Sequence, residues 1–463
     1  MIRGGLILSA GNAMAALLSL MRNIVIARLI SVEDFGIAST FAITMSVVEL
    51  ASNISLDRLL VQAHDGEEPH FLPTLHAVQA VRGLLGAIVL YAAAGPIALL
   101  FGVPDVVWAY KALALIPLLR GLAHLDMFRR QRAMEFTPSV TVEAAAQLLA
   151  AMAALPLALG FGDWRAMLYA LLLQQIVFTA TSHWVSTRPY RWSWDSGVIR
   201  RALQFGWPIF LNGFLMFGIF YGDRIIVGSL IGMKELGWFS AAFLLTLVPT
   251  TVLAKTCQSF FLPQLSAARD DMVEFSRIYM LTFQCIVFGA LMLAILFALA
   301  GPPIFIMFFG RDYEPAVTIL IWLSVMQALR VAKAGPAIAA VAKGETMNPL
   351  LANIPRAVLL LFAALAVVFG GGILTVVTMA MIGEAVAFGL SILLTKRLLS
   401  APSARVGLPS VMSLGVLGLI CISPFLDFRR LPSLANLVPE ILIVVVALPV
   451  LSWLLWSIRK LAG

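Results

Sequence analysis

Charged side chains stand inside long apolar stretches of this sequence: Glu49, Arg120, Lys255, Arg330, Lys333, Arg356 and Glu384. A charge in hydrocarbon is costly, so such residues face a wet cavity or a partner of opposite sign. Arginine's planar fork suits two oxygens of one phosphate or carboxylate. Arg120, Arg330 and Arg356, with Lys333 one turn beyond Arg330 and Lys255 in a neighbouring stretch, are therefore candidates to hold an anion. Glu49 and Glu384 are candidates for ion exchange. A carboxylate beside arginine holds its proton weakly, and one in a dry site holds it tightly. Motion between the two settings would take up and release an ion. Each of these residues also has a plainer reading, as a side chain snorkelling to the interface or a fixed pair that aids packing.

The elements that must position them are membrane helices. The chain has 463 residues, 61% hydrophobic and 12% charged, with a mean hydropathy of +0.96. So few charges cannot cover a soluble surface. Runs of about 20 apolar residues, enough to cross hydrocarbon, follow one another almost end to end. The short alternating strands of a β-barrel are absent. The net charge of +8 fits cationic loops of a membrane protein, and no basic stretch interleaved with aromatics points to nucleic acid. Cys257, Cys285 and Cys421 lie in apolar runs without a CxxC and read as small hydrophobes. Met1 to Met21 reads as a retained first membrane helix.

Fourteen spans are expected: 5–30, 36–60, 74–101, 104–126, 138–161, 164–186, 202–231, 236–263, 276–300, 315–341, 346–370, 373–398, 408–426 and 438–458. The loops holding Arg129, Arg130 and Arg132, then Arg188, Arg191, Arg200 and Arg201, then Lys396, Arg397 and Arg405 share one face with Arg459 and Lys460. The positive-inside rule makes that face, and both termini, cytoplasmic. Pro117, Pro208, Pro249 and Pro336 fall within spans and can bend them.

One charged helix end is written twice. Arg22–Gly36 (RNIVIARLISVEDFG) aligns with Asp223–Gly237 (DRIIVGSLIGMKELG) at an offset of 201, with Ile24/Ile225, Leu29/Leu230, Ile30/Ile231 and Gly36/Gly237 identical. Phe101–Gly102 matches Phe309–Gly310, Leu119–Arg120 matches Leu329–Arg330, and Pro138 and Gly160 match Pro349 and Gly370. The order holds through six helices. An even number makes this a parallel repeat, with a site expected between the halves. The expected architecture is all-α and polytopic: a six-helix lobe over 1–195, a second over 196–402, both around a central cavity, and two further helices over 403–463. The duplicated stretch marks the first external turn of each lobe. Gly36 and Gly237 permit tight packing. Arg28, Glu33, Asp223 and Arg224 are candidates for a gate at that mouth, or for a solvated turn.

These stretches carry a family resemblance. RNIVIARLISVEDFGIAS, QFGWPIFLNGFLMFGIFYGDRIIVGSLIGMKELGWFSAAFLL, RRQRAMEFTP and FFGRDYEPA resemble segments of the bacterial polysaccharide transporters, the Wzx-like oligosaccharide flippases. The wider group also holds MATE multidrug extruders and flippases of peptidoglycan precursors. The resemblance implies a non-enzyme of the bacterial inner membrane. It would turn an undecaprenyl-diphosphate-linked glycan from the cytoplasmic to the outer leaflet for exopolysaccharide or O-antigen synthesis. It implies no cofactor, a proton or sodium gradient as driver, and a polymerase or glycosyltransferase as partner. No P-loop is present to hydrolyse ATP. Two rivals are a MATE-like exporter of small cations and a lipid-phosphate glycosyltransferase. Deep arginines outnumber deep acids, against the first. No loop is long enough for an external domain, against the second. HDGEEPH, His64 to His70, with His76 nearby, matches no metal-site spacing.

Overall fold

The computed structural model describes residues 2–52, 55–63, 68–345, 347–396, 404–425 and 438–462, and every regular element among them is helical. His64, Arg397 and the Arg429–Arg430 pair lie outside the described residues. Two compact units result, Met1–Gly237 and Trp238–Gly463.

The first unit holds α1 (Ile2–Leu29), α2 (Val32–Ser52), the short α3 (Leu56–Gln62), α4 (Phe71–Leu100), α5 (Val107–Leu113), α6 (Leu115–Gly121), α7 (Asp126–Arg132), α8 (Thr137–Phe161), α9 (Arg165–Trp184) and α10 (Ser196–Ile226). In it α8 packs on α1 and α9, α4 on α5 and α6, and α10 on α2. Asp195 caps α10, accepting from the Gly197 and Val198 N–H groups at 2.8 and 3.0 Å. Those donors, Val198 first, hold its carboxyl below the usual range.

α11 (Met233–Ala267) runs from the first unit into the second. There follow α12 (Met272–Leu299), α13 (Gly301–Phe309), α14 (Val317–Ala342), α15 (Met347–Val368), α16 (Ile373–Lys396), α17 (Ala404–Ile422) and α18 (Val438–Ala462). The core of this unit gathers α12, α14, α17 and α18, with Phe283 stacked on Phe388 of α16. The last two helices are thus built into the unit's core.

Ten helices are long and apolar enough to cross a membrane, eleven with one bent segment, among the described residues. The other three expected spans are also helices: in α2 and α10 the charges stand toward the two ends, and α9 has paired glutamines in its middle. α2 opens on Glu33 and Asp34 and ends at Ser52, not at 60. α9 carries Gln174, Gln175 and His183. α10 carries Arg200, Arg201, Asp223 and Arg224. One of the punctuation matches takes equivalent places: Gly102 and Gly310 each follow a helix in a positive-φ conformation, 67° and 103°.

The expected span 104–126 is the bent one, broken by 47° between Gly121 and Asp126. Non-helical backbone at membrane depth needs partners for its freed groups. Neighbouring side chains supply them. Gln79 of α4 donates to the carbonyls of Arg120 and Ala123, both at 3.0 Å. Thr179 and His183 of α9 meet the carbonyls of Leu119 and Leu122 at 3.0 and 2.9 Å. Ser182 accepts from the His124 N–H at 2.9 Å, and His76 Nε2 accepts from the Leu125 N–H at 3.1 Å. The polar residues scattered through α4 and α9 thus hold one kink.

Gln79→Leu keeps the volume and removes the donor to two buried carbonyls. It is expected to cost about 1–3 kcal/mol, read as a lowered thermal midpoint of the purified protein. An unchanged midpoint would refute this account of the break.

Candidate functional site

The second unit brings four of the singled-out residues together. Glu384 of α16 is 1% exposed and accepts from three cations. Arg330 Nε reaches its Oε1 at 2.9 Å, and Lys333 Nζ reaches its Oε2 at 2.9 Å. Arg356 of α15, itself buried, bonds Oε1 directly. Helical spacing explains the geometry: Arg330 and Lys333 are three apart and share one face of α14. α15 and α16 lie close enough that Arg356 packs over Gly383, where a Cβ would lie 3.1 Å from the Arg356 Cα. Asn353 takes a second Lys333 bond at 2.7 Å, and Gln327 one from Arg330 at 3.2 Å. Three formal positive charges against one negative leave the cluster two charges in excess. Arg330 and Lys333 keep 15% and 13% of their side chains accessible, so the excess has an open flank.

The first unit holds a different arrangement. Arg120 NH2 pairs with Glu49 Oε1 at 2.9 Å, and both side chains are about half exposed, 45% and 52%. The pair lines a cavity of about 140 Å³ together with Asp57, Gln79, Arg82 and Phe178. Arg120 lies over the Phe178 ring at 5.5 Å. Arg82 interacts electrostatically with Arg120, Glu49 and Asp57. Two guanidinium groups and two carboxylates here roughly balance. Arg120 and Arg330, repeat partners in sequence, each have a glutamate partner, yet the acids come from α2 and α16, which the repeat does not relate.

Lys255 is exposed on α11 and belongs to neither cluster. The turn residues divide by environment. Arg28 and Glu33 are exposed, Asp223 is buried, and Arg224 lies 5.3 Å over Tyr221. Ser31 caps the start of α2: the Asp34 N–H donates to the Ser31 Oγ at 3.0 Å, and the hydroxyl donates to the Asp34 carboxylate at 2.6 Å. Gly36 and Gly237 are both buried.

Sequence reasoning does not single out Arg82, although it is an arginine inside the expected span 74–101. Nor does it single out Arg22, 6% exposed on α1, whose guanidinium donates to Gln174 of α9. Paired glutamines at 174–175 in an apolar run are the signal for that contact. His76 serves the backbone of the break, as described above, and no group of three or more His, Cys, Asp or Glu able to hold a metal occurs among the described residues.

Residues 25–318 match the family model described as polysaccharide biosynthesis protein. The succinoglycan biosynthesis transport protein ExoT of Rhizobium meliloti (strain 1021) is 26% identical over 317 residues, 66% of this chain. That match spans 62% of the relative's own length. Among solved structures, the lipid II flippase MurJ in an inward closed conformation superposes with a TM-score of 0.72 at 15% identity, over 98% of this chain and 99% of that one. An inward-facing MATE multidrug resistance transporter gives 0.69 at 16% identity, over 84% and 96%. These likenesses establish the fold.

The two acids differ in what their removal does. Glu384→Gln leaves three cations without their carboxylate and is expected to destabilise by about 3–5 kcal/mol. Glu49→Gln breaks a half-exposed pair and is expected to cost less than about 1 kcal/mol. Thermal unfolding of both purified variants checks this, and equal midpoints would refute it.

Proposed function

Because the chain belongs to the polysaccharide biosynthesis protein family, we propose that it is a flippase for a lipid-linked oligosaccharide, an undecaprenyl-diphosphate-linked glycan in a bacterial inner membrane. The observation that carries this reading is the buried excess of positive charge around Glu384. A diphosphate crossing hydrocarbon needs fixed cations in a wet cleft, while its lipid tail stays outside. Arg330 and Lys333, on the open flank, would take the diphosphate, and Arg356 would hold Glu384 in place behind them. Arg82 and Arg120 line the cavity of the first unit, where the anion would meet guanidinium groups again. Phe178, beneath Arg120, offers a ring face to a sugar.

Movement of the anion between the two sets would follow alternating access of two lobes, 1–195 and 196–402, with 403–463 as an addition. Both termini are cytoplasmic in this reading, and the substrate passes from the cytoplasmic leaflet outward. A polymerase or glycosyltransferase would supply or consume the glycan. Of the two acids, Glu49 is the better candidate for coupling to a proton or sodium gradient. It lines the cavity and is half exposed, whereas protonating Glu384 would leave its three cations uncompensated. The succinoglycan transport relative supports the substrate class.

The second reading is an ion-coupled exporter of small molecules, supported by the MATE-like fold. The excess cations disfavour a positively charged cargo.

Depletion in the native cell, followed by mass analysis of extracted lipid-linked sugars, is expected to show an undecaprenyl-diphosphate oligosaccharide accumulating. Wild type clears it. Arg330→Ala and Arg120→Ala, each losing a charge-assisted bond worth about 1.5–3 kcal/mol, clear it roughly tenfold or more slowly at equal protein levels. No accumulation on depletion, with normal surface polymer, would discard the glycolipid and leave small-molecule export to be tested.

A further inference from the structure

The duplicated stretch ends on itself. α2 begins at Val32 and α11 at Met233, equivalent positions of the repeat, and both starts lie within Met1–Gly237. A Cβ on Gly36 would fall 1.8 Å from the Met233 carbonyl oxygen. A Cβ on Gly237 would fall 2.1 Å from the Val32 carbonyl oxygen. The contact is reciprocal: each glycine meets the carbonyl four residues before the other glycine. That is the mark of a local twofold contact. The hydrogen that stands where a side chain would be points at an oxygen, a recurring weak bond between closely packed helices.

No side chain separates these backbones. Val32, Phe35, Met233 and Leu236 are buried around them. The two helices meet by their N-terminal ends, whose partial positive charges repel. Glu33, Asp34 and Glu235 in the first turns offset this repulsion. Close backbone packing over opposed dipoles makes a contact that is tight when made and free of long side chains to disentangle when broken.

We propose that Gly36 and Gly237 form a paired seam that closes the outer end of the translocation route, and that outward release of the substrate parts it. What passes the seam rests on the flippase reading; the parting itself does not. Any larger residue at either position meets a main-chain oxygen, which cannot rotate aside as a side chain can.

The test uses Leu29 and Leu230, repeat-equivalent and 38% and 48% exposed, one just before each turn. Both are changed to cysteine and spin-labelled in the full chain, with Cys257, Cys285 and Cys421 changed to alanine, and distances are read in lipid nanodiscs. Wild type is expected to give a short and a long population. Gly36→Ala and Gly237→Ala are each expected to lose the short one at least fivefold. Undecaprenyl diphosphate added to wild type is expected to shift the balance. If the alanine variants part but the lipid has no effect, the seam stands and the substrate reading suffers. Alanine variants that keep the short distance would overturn the seam. So would a single distance in wild type, which decides the matter even if the variants fail to fold.

Discussion

One carboxylate fixes the second unit's chemistry. Glu384 is buried among Arg330, Lys333 and Arg356, and each of those comes from a helix packed into the same bundle. Without the acid, three desolvated cations would repel one another inside low-dielectric surroundings. With it, α14, α15 and α16 are pinned at one depth, and the surplus charge is aimed where two of the three cations are still reachable. In the flippase reading, structure and recognition would share this residue. Its three partners would make Glu384 an organiser of the cluster rather than an exchanger of ions.

The first unit solves a different problem. Its cavity is lined by roughly balanced charge, and its Glu49–Arg120 pair is half exposed and weakly held. A weak pair next to a cavity can change partners at small cost. The contrast between a locked cluster and a loose pair, one per unit, is the asymmetry that the internal repeat conceals. Repeat partners Arg120 and Arg330 sit at corresponding sequence positions, yet their acids come from unrelated helices. Two stretches that align in sequence thus carry different charge settings.

Much of this was legible in the sequence. Composition and apolar run length identify an all-helical membrane protein, because burial in lipid leaves few alternatives for the backbone. That Arg330, Lys333, Arg356 and Glu384 stand within apolar helices was readable from position within a span. Their mutual pairing was not, since it depends on helix rotation, which an almost uniformly apolar sequence does not encode. Arg82 carries the same signal, an arginine inside the expected span 74–101, and its place on the cavity with Arg120 and Glu49 is what the fold adds. The break at Gly121–Asp126 was hidden. The stretch itself is apolar enough to span, and the residues that reveal the kink, Gln79, Thr179, Ser182 and His183, lie on other helices.

That break bears on how the chain is made. The segment from Pro104 to Arg132 has main-chain groups whose partners include Thr179, Ser182 and His183. On a ribosome these arrive 58 to 61 residues after the groups they bond. Until they do, the Leu122 carbonyl and the His124 N–H lack these partners, which lipid cannot replace. The segment must either wait in a wet environment or enter as a straight helix and bend once α9 has joined it. The final bend of this segment therefore depends on α9, an element made after the segment it holds.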